Sequence, residues 1–224
     1  MAPWEEYAQK VLGGQIVVGK YVRLAVERYR DDLERQSTED FPYYFDENKA
    51  AGATAFFPAA LRHSIGEHAG QPFTLEGWQA FAVANIFGWQ RDDGRGRRFR
   101  RIYWSMGRKQ GKSTIAAGIA MFVATCDINP ITGDPEAQSQ IIMAATKREQ
   151  AEKVIFAECL RMRQQSPTLK EGSSVANKLW PFNKNGGTCQ AVGSIGPYDG
   201  LNHQLVTREQ NLAGTNQHPK FTPQ

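Results

Sequence analysis

The sequence predicts an α/β fold in which helices flank a parallel sheet. Segments with the apolar spacing of helices alternate with short continuous apolar runs, in the order helix, strand, loop, helix, strand, helix. A glycine-punctuated turn also separates an apolar run at residues 102–106 from a second run at 115–124. In such folds right-handed crossovers join the strands, and ligands bind at the carboxyl ends of the strands.

The N-terminal third is predicted to contain one helix and one irregular arm. Residues 16–35 place apolar side chains on one helical face, at Val18, Val22, Ala25, Val26, Tyr29 and Leu33. Residues 36–71 are rich in glycine and put aromatic residues beside prolines. We therefore expect residues 1–70 to form an N-terminal helical arm, with 36–71 as an extended, aromatic-anchored segment leading into the domain.

The next elements define the centre of the predicted domain. Residues 74–89 are a second amphipathic helix, with Thr74 as the expected N-cap and Gly88 as the expected stop. A strand is expected at 102–106, a helix at about 112–126, a buried strand at 140–145 and a helix from 146 onward. Shorter apolar pieces follow at 175–182 and 189–195.

The stretch from Gly107 to Thr114 is the strongest chemical signal, because it lies between the predicted strand and the predicted helix. Backbone N–H groups of such a turn can bind phosphate at a helix N-terminus. Lys112 would reach the β- and γ-phosphates of a nucleotide, and the Ser113 hydroxyl would bind Mg²⁺. Met106 stands where the strict pattern requires glycine, and the alternative is a basic surface turn.

Composition narrows the class of protein. The 224 residues carry a net charge of +4 and a pI of about 9.0, which is compatible with a nucleic-acid partner. The three cysteines are isolated in sequence, and the four histidines lack metal-ligand spacing, so a reducing compartment and no metal cluster are expected. The N-terminus lacks the apolar region of a signal peptide, and the longest apolar run is too short to span a bilayer.

The end of the chain has little apolar surface. Residues 202–224 contain only five apolar side chains, so disorder is expected after about residue 206. A phosphate-loop ATPase needs a second apolar strand that ends in an acidic residue. Residues 204–209, ending at Glu209, are the best candidate and make a poor strand.

Several blocks together resemble the large terminase subunits of tailed bacteriophages, which are DNA-packaging motors. The resemblance covers about residues 14–206 and matches the N-terminal ATPase half of that family. Its motifs include Tyr44-Phe-Asp46, Leu75-Glu-Gly-Trp-Gln79, Ile86-Phe-Gly-Trp89, Arg108-Lys-Gln-Gly-Lys-Ser113, Ala144-Ala-Thr-Lys-Arg-Glu-Gln-Ala151 and Tyr198-Asp-Gly-Leu-Asn202. The resemblance implies a P-loop NTPase sheet of the ASCE type, and the family's loop tolerates a missing first glycine.

The resemblance also implies roles for individual residues. ATP and Mg²⁺ are the implied cofactors, with Arg108 as an arginine finger in cis, Gln79 recognising adenine and Glu209 as the catalytic acidic residue. The remaining nucleotide contacts are implied for Gly107, Lys109, Gln110, Gly111 and Thr114, beside Lys112 and Ser113. Five arginines between residues 95 and 101 are expected either to follow DNA phosphates or to form a solvated turn.

The chain departs from the family after residue 202. Gln210 stands where the family has the glutamate that activates water, and the apolar pattern stops there. We expect a P-loop ATPase domain at 71–206 that is incomplete at its C-terminus, a disordered or non-family tail at 207–224, and no nuclease domain.

Three hypotheses on function follow. The first is the ATPase part of a packaging motor, truncated, with impaired or no hydrolysis. The second is a non-catalytic prophage remnant that at most binds nucleotide, and the third is an unrelated helicase-like P-loop ATPase. For the first, the family implies double-stranded DNA, the portal protein, the small terminase subunit and a homo-oligomeric ring as partners. It also implies the cytoplasm of the bacterial host as location, without membrane contact.

Overall fold

The computed structural model describes residues 1–107, 109–127, 139–170, 179–182 and 187–193. Its longer helices are α1 (Pro3–Leu12), α2 (Lys20–Arg35), α3 (Glu47–Ala60), α4 (Gly77–Gly88) and α5 (Lys112–Thr125). Helix α6 (Arg148–Ala151), a π-helical turn (Glu152–Phe156) and α7 (Ala157–Gln165) follow one another without a break, since the backbone stays right-handed helical at both junctions. The strands are β1 (Tyr43–Phe45), β2 (Trp89–Arg91), β3 (Gln140–Ala145), β4 (Leu179–Phe182) and β5 (Gly187–Gly193).

The N-terminal arm is more helical than the sequence suggested. Helix α2 confirms the prediction at 16–35, but the extended segment predicted at 36–71 is wrong over α3. Asp46 starts α3 by accepting a hydrogen bond from the Lys49 N–H at 3.0 Å. Pro58 lies in the last turn of that helix. The alanines of α3 favour the helix, and their burial stabilises it more than its single glycine, Gly52, destabilises it.

Helix α4 confirms the prediction at 74–89, with one correction at its start. The N-cap is Glu76 rather than Thr74, and the helix ends at Gly88 as expected. Glu76 donates its backbone N–H to Oε1 of Gln79 at 2.9 Å. This hydrogen bond fixes the side chain of Gln79 at the start of the helix.

The strand predicted at 102–106 does not form, and residues 101–107 have no regular secondary structure. Ile102 is 53% exposed and Tyr103 is 93% exposed. A strand needs neighbours for its backbone N–H and C=O groups, and no strand in the described ranges pairs with this segment. Its apolar residues predicted a strand, but the burial that would stabilise one is missing there.

The described strands form two small sheets. Strands β1 and β2 pair in antiparallel fashion, with Phe45 opposite Trp89. The second sheet has the order β3-β5-β4, in which β3 and β5 are parallel and β4 is antiparallel to β5. The chain therefore has an α/β fold whose described sheet is mixed, with one of its two strand pairs parallel.

Two hydrophobic clusters hold these elements together. The N-terminal cluster includes Trp4, Tyr7, Val11, Val26, Tyr29, Phe41, Phe81 and Trp89. The central cluster includes Phe56, Phe57, Leu61, Phe87, Ile115, Met121, Phe122, Met143, Cys159, Met162 and Cys189. Helices α3 and α4 contribute side chains to both clusters. The candidate site begins where α4 meets the segment that leads into α5.

In the described residues no helix is both long and apolar enough to cross a membrane.

Candidate functional site

The turn before α5 contains two residues with a left-handed backbone conformation. Lys109 and Gly111 both have positive φ angles, of 64° and 74°. Glycine adopts this region at little cost, whereas a lysine there is strained by about 1 kcal/mol. Two residues with left-handed backbone conformation so close together reverse the chain direction sharply. The chain then enters α5 at its first residue, Lys112.

The N-terminus of α5 is available to an anion. Gly111 is the N-cap and has no side chain that could accept the N–H groups of the first turn, and no side chain within the described ranges caps them. The first turn of a helix leaves these donors without intrahelical acceptors, and the helix dipole favours negative charge there. Lys112 adds a positive charge on an exposed side chain, and Ser113 and Thr114 are half-buried beside it.

Helix α5 is held firmly behind this turn. Its buried face includes Ile115, Gly118 and Met121, which belong to or border the central cluster. The thiol of Cys159 on α7 lies 3.7 Å from the carbonyl oxygen of Ala117. The hydrogen bond with Cys189 and burial both raise the pKa of the Cys159 thiol, so Cys159 remains a protonated core residue.

Gln79 lies directly beside the turn. The residue is 7% exposed, and a methyl group built on Gly111 would lie 3.6 Å from Nε2 of Gln79. Its Oε1 accepts from the N–H of Glu76. The tertiary structure thus brings together a residue from the start of α4 and a residue from the start of α5, which are separated by more than thirty positions in sequence.

Two tryptophans and a cavity lie next to Gln79. The rings of Trp78 and Trp104 meet edge to face with centroids 6.2 Å apart, which anchors the irregular segment 101–107 on α4. A cavity of about 410 Å³ opens between α1 and the start of α4. It is lined by Pro3, Glu6, Tyr7, Lys10, Ile16, Glu76, Gly77 and Trp78.

The arginine cluster divides into buried and exposed members. Arg98 pairs with Asp32 at 2.7 Å, and its guanidinium lies over the rings of Phe41 and Phe99 at 4.6 and 4.8 Å. Arg97 pairs with Asp127 at 3.0 Å and lies over Phe87. Both guanidinium groups are thus already paired with a carboxylate and an aromatic ring, and Arg98 is the more deeply buried of the two.

The exposed side of the same cluster keeps its basic character. Arg95 and Arg101 are exposed, and residues 94–112 contain no acidic side chain. The neighbouring carboxylate, Asp93, is held by Arg91 and by the N–H of Arg95, and these hydrogen bonds keep the pKa of Asp93 well below its usual range. Asp93 thus stays ionised and paired with Arg91, while the exposed arginines remain charged at every ordinary pH and make the surface before the loop positive.

Sequence reasoning overlooked the buried ion pair of Asp32 and Arg98. The signal was present, because Asp32 lies three residues after Tyr29 on the apolar face of α2. A carboxylate on such a face requires a cation or hydrogen-bond donors.

Among the predicted site residues, Gly107, Lys109 and Gln110 are exposed in or before the turn. Arg108, Glu209 and Gln210 lie outside the described residues, as does the tail predicted at 207–224.

The part of the chain that contains this turn is similar to known proteins. Residues 77–186 match the family model described as the ATPase domain of the terminase large subunit. The matched range begins at the first residue of α4 and includes both Gln79 and the turn before α5.

A structural comparison gives a related result. The fold is similar to the crystal structure of the HK97 bacteriophage large terminase, with a TM-score of 0.51 and 22% sequence identity. The match covers 66% of this chain and 28% of that chain. Among curated proteins no significant match was found.

Proposed function

We propose that this chain binds ATP with Mg²⁺ at residues 107–114. We also propose that it serves as the ATPase part of a phage DNA-packaging motor, because residues 77–186 match the ATPase domain family of large terminase subunits. The observation that carries the proposal is the turn itself. Two left-handed residues lead into an uncapped helix N-terminus, with a lysine at its first position.

The residues present fit a nucleotide and its metal ion. The first-turn N–H groups of α5 and the Lys112 ammonium would hold the β- and γ-phosphates, and the donors are free of side-chain caps. The Ser113 hydroxyl would bind Mg²⁺, which prefers oxygen ligands and neutralises charge on the phosphates. Gly107, Lys109, Gln110 and Thr114 complete the loop around the phosphates, and the family role of Gln79 is contact with adenine.

Hydrolysis needs two further groups whose roles rest on the family resemblance. Arg108 would stabilise charge on the γ-phosphate as a finger in cis. Glu209 is the candidate acidic residue, whereas Gln210 occupies the position of the family's water-activating glutamate. An amide cannot accept the proton of the attacking water, so we propose that hydrolysis is slow, by a factor on the order of 10²–10⁴.

The wider assignment follows the family in the same way. We assign residues 71–206 to the ATPase domain, with the parallel sheet of an ASCE-type P-loop NTPase. Residues 1–70 form its helical arm, and 207–224 a tail. Its partners are double-stranded DNA, the portal protein, the small terminase subunit and further copies of the chain in a ring. The assembly works in the cytoplasm of the bacterial host. The exposed arginines before the loop suit a DNA partner.

The test is nucleotide binding by a Lys112→Ala variant. We expect its affinity for Mg²⁺–ATP, measured by calorimetry, to fall at least tenfold, because the lysine contributes a charge-assisted contact to the phosphates. Lys20→Ala is the matched control. Lys20 is also an exposed lysine at the first position of a helix after a glycine N-cap.

Equal affinities of the two variants would reject the site. A parallel assay of Mg²⁺-dependent phosphate release, with and without DNA, tests the second part of the proposal. Rapid turnover that is lost in Lys112→Ala would show that Glu209 or another residue supplies the catalytic carboxylate.

A further inference from the structure

The segment before the loop exposes aromatic and apolar side chains among its arginines. Tyr103 is 93% exposed and Ile102 is 53% exposed, and neither belongs to a hydrophobic cluster. Arg100 and Arg101, the two residues before them, are exposed as well. The proposed nucleotide site uses none of these side chains.

Contacts on both sides of the exposed residues hold this segment against the protein. They are the ion pairs of Arg98 with Asp32 at 2.7 Å and of Arg97 with Asp127 at 3.0 Å, and the ring contact of Trp104 with Trp78 at 6.2 Å. Arg101 and Tyr103 are therefore presented from an anchored backbone. A ligand that binds an anchored segment loses less free energy to ordering than one that binds a flexible tail.

The charge of this surface favours an anionic ligand. No side chain between residues 94 and 112 is acidic, and Arg101 makes no ion pair within the described ranges. The carboxylate of Asp93 is already bonded to Arg91 and to the N–H of Arg95. The phosphates of a ligand would therefore find a cation at Arg101 whose charge is not neutralised by a protein carboxylate.

A nucleic-acid strand suits this surface better than a protein does. Arginines bind the phosphates that every strand carries, and an exposed aromatic ring can stack on a base. Two exposed apolar side chains are too few for a protein interface, which buries about 800 Å² on each partner. One ring is enough for one base, because each stacked base strengthens binding about tenfold.

The exposure of the base faces distinguishes single strands from duplexes. In a duplex each base is stacked between its neighbours, so a protein ring on the surface cannot reach its face. In a single strand a base can turn onto the ring. Tyr103 is therefore able to stack only on an unpaired base, whereas Arg101 can contact the phosphates of either form.

We propose that residues 100–103 bind single-stranded nucleic acid, with Tyr103 stacked on a base and Arg101 in contact with the phosphates. This inference goes beyond the proposed function, in which the exposed arginines suit double-stranded DNA. It requires neither nucleotide nor Mg²⁺.

The experiment measures binding of two fluorescent DNA probes by anisotropy, with the full chain and without nucleotide. One probe is a single strand that cannot pair with itself, and the other is its duplex with the complementary strand. We expect Tyr103→Ala to weaken binding of the single strand about tenfold and to change binding of the duplex by less than about twofold. Because Tyr103 is 93% exposed, the variant should keep the fold, and its thermal midpoint checks this.

Two further tyrosine variants show whether the ring at this position is responsible. Tyr103→Phe keeps the ring and should bind the single strand as the unmodified chain does. Tyr21→Ala is the matched control, since Tyr21 is 83% exposed and follows Lys20 on another part of the surface. A loss with Tyr21→Ala as large as that with Tyr103→Ala would overturn the inference.

The arginine contact has its own readout in the salt dependence of binding. Arg101→Ala should weaken binding of both probes, since both carry phosphates. For the single strand, the slope of log affinity against log salt concentration should become shallower by about 0.7, as expected for one lost phosphate contact. An unchanged slope would show that Arg101 does not contact the strand and would contradict the proposal.

The remaining outcomes also decide the question. Equal losses for both probes in Tyr103→Ala would reject stacking, and so would equal affinities of this variant and the unmodified chain. Failure of the unmodified chain to bind the single strand would reject the inference outright. The proposed function is tested separately by nucleotide binding of Lys112→Ala. Its failure would leave the single-strand result standing, because the DNA probes are measured without nucleotide.

Discussion

At the scale of single residues, Arg98 shows how the basic segment before the loop is attached to the protein. Its side chain is 16% exposed and that of Asp32 is 7% exposed. The guanidinium also lies over four aromatic rings, those of Phe41, Tyr43, Trp89 and Phe99. A planar cation with both faces against rings and its edge against a carboxylate is well satisfied in a nearly dry site.

Replacing Asp32 tests this arrangement. Asp32→Asn leaves the Arg98 charge buried without its counterion, and we expect the free energy of unfolding to fall by about 3 kcal/mol. Urea denaturation followed by tryptophan fluorescence measures the change. The adjacent Asp31→Asn is the control, because its pair with Arg30 is exposed and should contribute less than about 0.5 kcal/mol. Similar effects of the two changes would contradict the role of Arg98.

Tyr29 makes the N-terminal cluster sensitive to high pH. Burial is the main cause that raises the pKa of Tyr29 to about 12. Because the folded-state pKa lies above the ordinary value of about 10, the stabilisation is fully present below pH 10 and is lost as the pH rises toward 12. The free energy of unfolding should therefore decline between pH 10 and 12. Tyr29→Phe should show a shallower decline, and an unchanged slope would rule out Tyr29 as its cause.

At the scale of elements, the position of α5 depends on one close contact with α3. A methyl group on Gly118 would lie 2.3 Å from Cε1 of Phe57 and 3.1 Å from Cδ1 of Leu61. Glycine is an unfavourable residue in the interior of a helix, but here it lets α5 approach α3 closely. Helix α5 thus packs too tightly against α3 to shift, and this fixes the position of the loop that precedes it.

Gly118→Ala should therefore be destabilising although alanine is the better helix former. We expect the free energy of unfolding to fall by about 1–3 kcal/mol, because Phe57 is fully buried and cannot move away easily. Gly52→Ala on α3 is the matched control, since no atom lies near its added methyl group. That change should stabilise the protein by up to about 1 kcal/mol. Thermal unfolding of both variants checks the two opposite signs.

At the scale of the whole molecule, the two hydrophobic clusters share helices. On α4, Phe81 and Ala84 belong to the N-terminal cluster, whereas Val83, Ile86 and Phe87 belong to the central cluster. The same division occurs on α3, where Ala50 faces one cluster and Phe57 the other. Neither cluster can lose its packing without disturbing a helix of the other.

We therefore expect one cooperative unfolding transition for the described part of the chain. In a variant whose Trp78, Trp104 and Trp180 are replaced by phenylalanine, fluorescence of Trp4 and Trp89 reports the N-terminal cluster. Thiol labelling of Cys159 and Cys189 reports the central cluster. The exposed Cys126 should react without denaturant and provides an internal control. Two separate midpoints in urea would show that residues 1–70 unfold independently of the rest.

The sequence by itself determined the α/β class, the helices at α2, α4 and α5, and the glycine-containing turn with a lysine at the start of α5. These features depend on local information: apolar spacing that repeats along one face, and a glycine turn between apolar segments. The strand at 140–145 was also predictable, because a run of apolar residues bounded by polar ones has few alternatives, but its predicted burial is confirmed only for Met143.

Only the tertiary structure decided how these elements are used. The strand predicted at 102–106 stays irregular because strand formation depends on hydrogen-bonding neighbours that a local pattern cannot specify. Arg98 was one of five similar arginines until packing placed Asp32 and four rings around it. Gln79 and Gly111 are distant in sequence. They lie close together only because α3 and α4 carry both clusters and bring α5 beside α4.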